Sequence, residues 1–92
     1  DPRTLVPLDI ETIIRSVKKT GRVVIVHEAH EFCGTAAEIA FQISQEAFAY
    51  LDAPPARVTS CQAPIPYSRK LEQLTVPSPE RIASAVKKVL YL

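Results

Sequence analysis

In the stretch Arg22-Val23-Val24-Ile25-Val26-His27-Glu28, four β-branched residues follow one another with no polar interruption. A strand with one wet face alternates apolar and polar residues. An unbroken run is the pattern of a strand covered on both faces, as in a parallel sheet between helices. Residues 22–28 are therefore expected to form such a strand, with residues 29–34 as the loop at its carboxyl end.

Reading outward in both directions gives helices. On the amino side, Ile10, Ile13, Ile14 and Val17 share one face at helical spacing. Asp9 suits the cap of that helix and Glu11 meets its positive dipole end. Lys18 and Lys19 fall in the last turn, and Gly21 suits a left-handed stop. On the carboxyl side, residues 35–51 form the longest expected helix. Thr35 and Glu38 have the spacing of a capping box. Ile39, Ile43, Ala47 and Tyr50 make its stripe, widened by Ala36, Ala40 and Phe48. Pro54 and Pro55 end it, since proline cannot continue a helix.

Residues 56–60 then read as a second short strand. Residues 61–76 are a long connection through Pro64 and Pro66, with one helical turn near 69–74 and an edge strand at Leu74-Thr75-Val76. Ser78-Pro79-Glu80 is a helix start, with a capping serine, a proline pre-set for the first position and an acid at the dipole. Ile82, Val86, Val89 and Leu90 supply that helix with an apolar side. The order helix, strand, helix, strand, helix implies a three-layer α/β/α fold with a mostly parallel sheet.

Composition narrows the class. The chain has 92 residues, 47% apolar and 23% charged, with a formal net charge of +1. A domain this short buries only about 60–65% of its unfolded surface. The balanced, interspersed charge leaves no footprint for nucleic acid or an anionic membrane. No apolar run approaches the ~20 residues of a membrane helix, and the N-terminus lacks a signal-peptide layout. The expected compartment is the bacterial cytoplasm or a mitochondrial or plastid matrix. There, Cys33 and Cys61 are expected as free thiols.

Certain short segments carry a resemblance. Thr20-Gly21-Arg22-Val23-Val24-Ile25-Val26-His27-Glu28-Ala29 is followed by Leu51-Asp52-Ala53-Pro54-Pro55-Ala56-Arg57-Val58-Thr59 and Pro64-Ile65-Pro66-Tyr67. In that order and spacing they resemble the C-terminal domain of the transketolase family. The branch they resemble is the beta subunit of the thiamine-diphosphate-dependent decarboxylase of 2-oxo acid dehydrogenases. Residues 1–92 are expected to be one partial domain of this kind, N-terminally truncated. Two departures stand out. The family's Gly-aromatic-Gly-Ala-Glu-Ile here reads Gly34-Thr35-Ala36-Ala37-Glu38-Ile39, and Gln62 stands where an aspartate is usual.

The resemblance implies a parent enzyme that oxidatively decarboxylates pyruvate or a branched-chain 2-oxo acid on thiamine diphosphate with magnesium, passing the acyl group to lipoyl-lysine. The Gly-Asp-Gly signature for the magnesium diphosphate does not occur here. This piece is thus expected to bind no cofactor, to be inactive alone, and to serve assembly. The implied partners are the alpha subunit, a second beta subunit, and the subunit-binding domain of the acyltransferase core. Lys87, Lys88 and the Leu92 carboxylate are the candidate docking residues. Isolated, the chain is expected to self-associate through unpaired sheet edges.

Other residues suggest other chemistry. His27, His30 and Cys33 are spaced by three and carry good zinc-ligand groups. They would make the chain a free-standing, metal-regulated α/β binding module. The spacing is not the four-residue His pair of a zinc-protease helix. Cys33 or Cys61 paired with His27 or His30 would be a nucleophile and base, although no cysteine-enzyme signature surrounds either thiol. The 29–34 loop stands where open α/β sheets bind ligands, but without a glycine-rich phosphate loop. A packed loop is the expectation there.

Overall fold

The computed structural model describes all 92 residues. The elements run α1 (Ile10–Thr20), β1 (Val24–His30), α2 (Thr35–Ala47), a 3-10 turn (Phe48–Tyr50), β2 (Ala56–Ser60), α3 (Arg69–Thr75) and α4 (Pro79–Val89). β1 and β2 pair in parallel, Val24 opposite Ala56 and Val26 opposite Val58. A parallel pair needs a long crossover, and α2 supplies it. α2 packs on both strands with α1 against it, and α4 packs on both strands as a further layer.

α1 forms as its sequence dictates. The Asp9 carboxylate accepts from the Thr12 amide at 3.1 Å and from the Thr12 hydroxyl at 2.7 Å. These two bonds, the hydroxyl first, hold the Asp9 carboxyl below its ordinary value of 3.8. A carboxyl depressed by folding stabilises above its unfolded value, and that contribution is lost as pH falls through the folded one. The melting-temperature difference between the native chain and Asp9→Ala is therefore expected to be constant near neutral pH. It should shrink once pH drops below 3.8. A difference independent of pH down to complete acid unfolding would contradict this.

Gly21 ends α1 in the left-handed region, at φ 69°, with its amide bonded to the Val17 carbonyl at 2.7 Å. A Cβ there would lie 2.5 Å from Asp52 Oδ2 and 3.1 Å from the Tyr50 carbonyl. Gly21→Ala combines left-handed strain of about 1–2 kcal/mol with this crowding. Urea denaturation is expected to show a loss of at least that size, and an unchanged midpoint would refute the argument.

The core is small. Ile14, Val17, Ile39, Ile43 and Ala47 are buried together, with Val23 and Ile25 of the β1 segment packed against them. A second buried group, Ala53, Val58 and Val89, lies toward α4. Only 12 of the 92 residues are buried. The radius of gyration is 14.0 Å, against about 12 Å for a compact domain of this length.

The structure corrects several expectations. β1 runs to His30, because its register slips between Val26 and His30 while β2 advances only from Val58 to Ser60. This bulge carries the strand through residues expected to be loop. α2 has no capping box. Gly34 is its cap, the Thr35 hydroxyl faces His27, and Glu38 accepts from Gln42 at 2.8 Å. A Cβ on Gly34 would strike the His30 carbonyl, so strand end and helix start meet too closely for a side chain at the cap.

α2 also stops at Ala47. The tighter 3-10 turn that follows swings Phe48 and Tyr50 off the buried stripe, and both are exposed. The edge strand expected at Leu74-Thr75-Val76 is absent, since residues 69–75 are helical. Local bonds decide this: Glu72 donates to the Ser68 carbonyl, and its own carbonyl accepts from the Thr75 hydroxyl and the Val76 amide. They override the strand preference of two β-branched residues.

Candidate functional site

His27 and His30 both lie on β1, His30 as its last residue rather than in the loop expected at 29–34. The two imidazoles serve different neighbours. His27 Nε2 is 3.3 Å from the Thr35 hydroxyl, and His30 Nε2 is 3.1 Å from the Ala63 carbonyl. His27 Nδ1 is buried without a partner. Cys33 is exposed at φ 58°. No group of three or more His, Cys, Asp or Glu side chains is placed to hold a metal ion. The metal-regulated reading thus lacks its constellation, because both rings are turned into contacts within the fold.

The thiols show no nucleophile–base arrangement either. Cys61 is exposed, and its Sγ meets the Leu74 carbonyl at 3.8 Å. Neither cysteine has a hydrogen bond to a histidine.

The segment after β1 is stitched to its surroundings. Arg57 donates to the Glu31 carbonyl at 2.7 Å, and the Phe32 amide donates to Gln62 Oε1 at 3.3 Å. Gln62, which departs from the usual aspartate, therefore has a structural role as an acceptor for this segment. These bonds tie the backbone of the segment to β2 and the connection after it, while residues 29–33 stay exposed.

α4 ends in a chain reversal. Tyr91 stands at φ 59°, its amide bonds to the Lys88 carbonyl, and the Leu92 amide bonds to the Lys87 carbonyl. That is the Schellman arrangement, with tyrosine in the place glycine usually takes. The Tyr91 hydroxyl donates to the Asp52 carbonyl at 2.9 Å, and Arg22 donates to the Val89 carbonyl at 2.8 Å. The end of α4 is thereby anchored to the α1–β1 and 3-10 corners. Lys87 and Leu92 are exposed outside this knot, and Lys88 lines a cleft with Arg57 and Arg81.

What sequence reasoning missed is the surface. All six aromatics, Phe32, Phe41, Phe48, Tyr50, Tyr67 and Tyr91, are more than half exposed, Tyr50 being the least at 52%. Aromatic side chains dominate core and interface energetics, and a domain of this size normally buries some of them. Phe41 on α2 and Phe48 on the 3-10 turn that follows it are both exposed, seven residues apart. For Phe41 the signal was available: it falls off the Ile39–Ile43–Ala47 stripe, yet no polar residue replaces it. On the other side, the β1 edge away from β2 opens into an apolar groove of about 420 Å³, lined by Leu5, Val24, Val26, Ile39 and Ile43 among others.

A thiamine diphosphate–magnesium pair would need carboxylate and amide ligands around a phosphate cradle. No group of three or more His, Cys, Asp or Glu side chains is placed together to hold the metal. The residues here do not fit that group.

No helix is long and apolar enough to cross a membrane. The profile of the family described as transketolase, C-terminal domain, matches residues 1–82. The chain is 51% identical over 92 residues to the pyruvate dehydrogenase E1 component subunit beta of Rickettsia bellii, covering 100% of this chain and 28% of that protein. It is 46% identical over 90 residues to the 2-oxoisovalerate dehydrogenase subunit beta of Pseudomonas aeruginosa, covering 98% and 25%. A third relative is the acetoin:2,6-dichlorophenolindophenol oxidoreductase subunit beta of Cupriavidus necator, at 43% over 90 residues, covering 98% and 27%. The chain spans about a quarter of the length of these curated relatives. The parallel β1–α2–β2 unit, the layered helices and this match together place the chain in the transketolase C-terminal domain family.

Proposed function

We propose that this chain is a partial C-terminal domain, residues 1–92, of the beta subunit of a 2-oxo acid dehydrogenase decarboxylase component, and that it serves assembly. The parent enzyme would decarboxylate pyruvate or a branched-chain 2-oxo acid on thiamine diphosphate with magnesium and pass the acyl group to lipoyl-lysine. Its partners would be the alpha subunit, a second beta subunit and the acyltransferase core's subunit-binding domain. Lys87, Lys88 and Leu92 are the docking candidates on this chain. The compartment would be the bacterial cytoplasm or an organelle matrix.

One observation carries the assembly role: every aromatic side chain is more than half exposed. Tyrosine and phenylalanine are enriched at protein interfaces, and Phe41 and Phe48 are exposed seven residues apart in one part of the chain. The similarity to dehydrogenase beta subunits supplies the class of assembly. The cofactor chemistry would belong to other residues of the parent enzyme.

The division of labour is testable. Given pyruvate or a branched-chain 2-oxo acid with thiamine diphosphate and magnesium, the 92-residue chain is expected to release no carbon dioxide. Isothermal titration should show no thiamine diphosphate binding. Turnover by the chain alone, or saturable cofactor binding, would defeat this assignment.

A further inference from the structure

The two edges of the β1–β2 sheet differ in character. The β1 edge is apolar, whereas the β2 edge forms a cleft of about 530 Å³ against α4. Its helical wall is the stripe Arg81, Ser84, Ala85 and Lys88. These positions fall on one face, with the two cations about 10 Å apart along the axis. The small side chains of Ser84 and Ala85 between them leave the groove open.

The opposite wall is β2 itself. The Ala56 amide is spent on the Val23 carbonyl at 3.1 Å. By strand alternation, the backbone N–H and C=O of Arg57 point away from β1, toward the open edge. An unpaired edge is a template for another extended chain.

Charge selects the occupant. Arg57, Arg81 and Lys88 meet a single carboxylate, Glu31, which already stands 3.8 Å from Arg57. Arg81 and Lys88 have no ion-pair partner, the only other salt bridge being that of Arg22 with Asp52. Arg81 makes only a 3.4 Å bond to the Val76 carbonyl.

We propose that this cleft is a docking site for an extended acidic peptide segment of a partner protein. The segment would add beside β2, bonding the Arg57 backbone, with its carboxylates against Arg81 and Lys88. Main-chain bonds give such a contact its affinity, and the flanking charges give its selectivity. The site is independent of the aromatic surface on the α2 side, so either can fail while the other stands.

The test uses the full polypeptide that carries this chain and a fluorescein-labelled peptide of alternating glutamate and valine, six residues long, read by anisotropy. Saturable binding is expected. It should weaken by about tenfold or more in the double variant Arg81→Glu, Lys88→Glu. Both positions are exposed, so melting temperature should fall by only a few degrees. Methylating alternate backbone nitrogens of the peptide, which keeps its charge but blocks strand pairing, should cause a comparable loss. Absence of saturable binding would overturn the proposal. So would equal binding of a lysine–valine peptide, full binding by the double variant, or full binding of the methylated peptide.

Discussion

Replacing Ile43 with alanine is expected to lower the thermal unfolding midpoint of the isolated chain by about 10 °C or more. Ile43 is 0% exposed and sits amid Ile14, Val17, Ile39 and Ala47. Removing its branched end leaves a cavity that neighbours fixed on two helices cannot close. Changes of this type cost about 2–5 kcal/mol. Against a total stability of roughly 5 kcal/mol, the low end of what about 90 residues provide, that loss is decisive. Few buried residues elsewhere can compensate. Far-ultraviolet circular dichroism against temperature reads the result directly. A midpoint within a few degrees of the native one would mean the core lies elsewhere.

The opposite behaviour is expected on the outside. The double variant Phe41→Glu, Phe48→Glu should leave monomer folding nearly unchanged. Both rings are exposed, at 57% and 77%, and surface replacements away from special features stay within about 0.5 kcal/mol. Association should collapse instead. Desolvated aromatics at the centre of an interface typically carry 2 kcal/mol or more each, about thirtyfold in affinity. Two such losses, with charges introduced where a partner is apolar, should weaken assembly by at least about a hundredfold. Size-exclusion chromatography with light scattering separates the outcomes. Loss of folding with association intact would reverse the roles assigned to the two faces of α2.

What the sequence displayed and what it hid follow from the range of the forces involved. The Asp9 cap, the Gly21 stop and the Ser78-Pro79 start depend on neighbours within a turn, and each stands where the local pattern puts it. The Ser78 cap, for example, accepts from the Arg81 amide at 3.2 Å. By contrast β1, read as covered on both faces, has no buried residue, and Val26 is 48% exposed.

The features that escaped depend on distant partners. The bulge in β1 arises from pairing with β2, and the Gly34 cap from the His30 carbonyl pressing on it. Tyr91 holds a conformation natural to glycine because its hydroxyl reaches Asp52, 39 residues away. Period alone could not show that Phe48 and Tyr50 turn outward, since the change from α to 3-10 winding occurs at Ala47, within an apolar run.

For the candidate site the balance is similar. His27, His30 and Cys33 looked like a ligand set because spacing in sequence was all that was visible. Strand geometry and the bonds to Thr35 and Ala63 separate them. The cleft between β2 and α4 joins Arg57 to Arg81 and Lys88, a meeting across two elements that no local motif announces. The family match rests on many short segments together, which is why it was legible when no single site was.

The account depends on the apolar surface of this chain being a surface meant to be covered. Sedimentation velocity of the 92-residue chain, from about 5 to about 500 µM, tests that most directly. The prediction is a concentration-dependent shift to larger species, reversed in the Phe41→Glu, Phe48→Glu variant. A single folded species of 10.2 kDa across the whole range would contradict it.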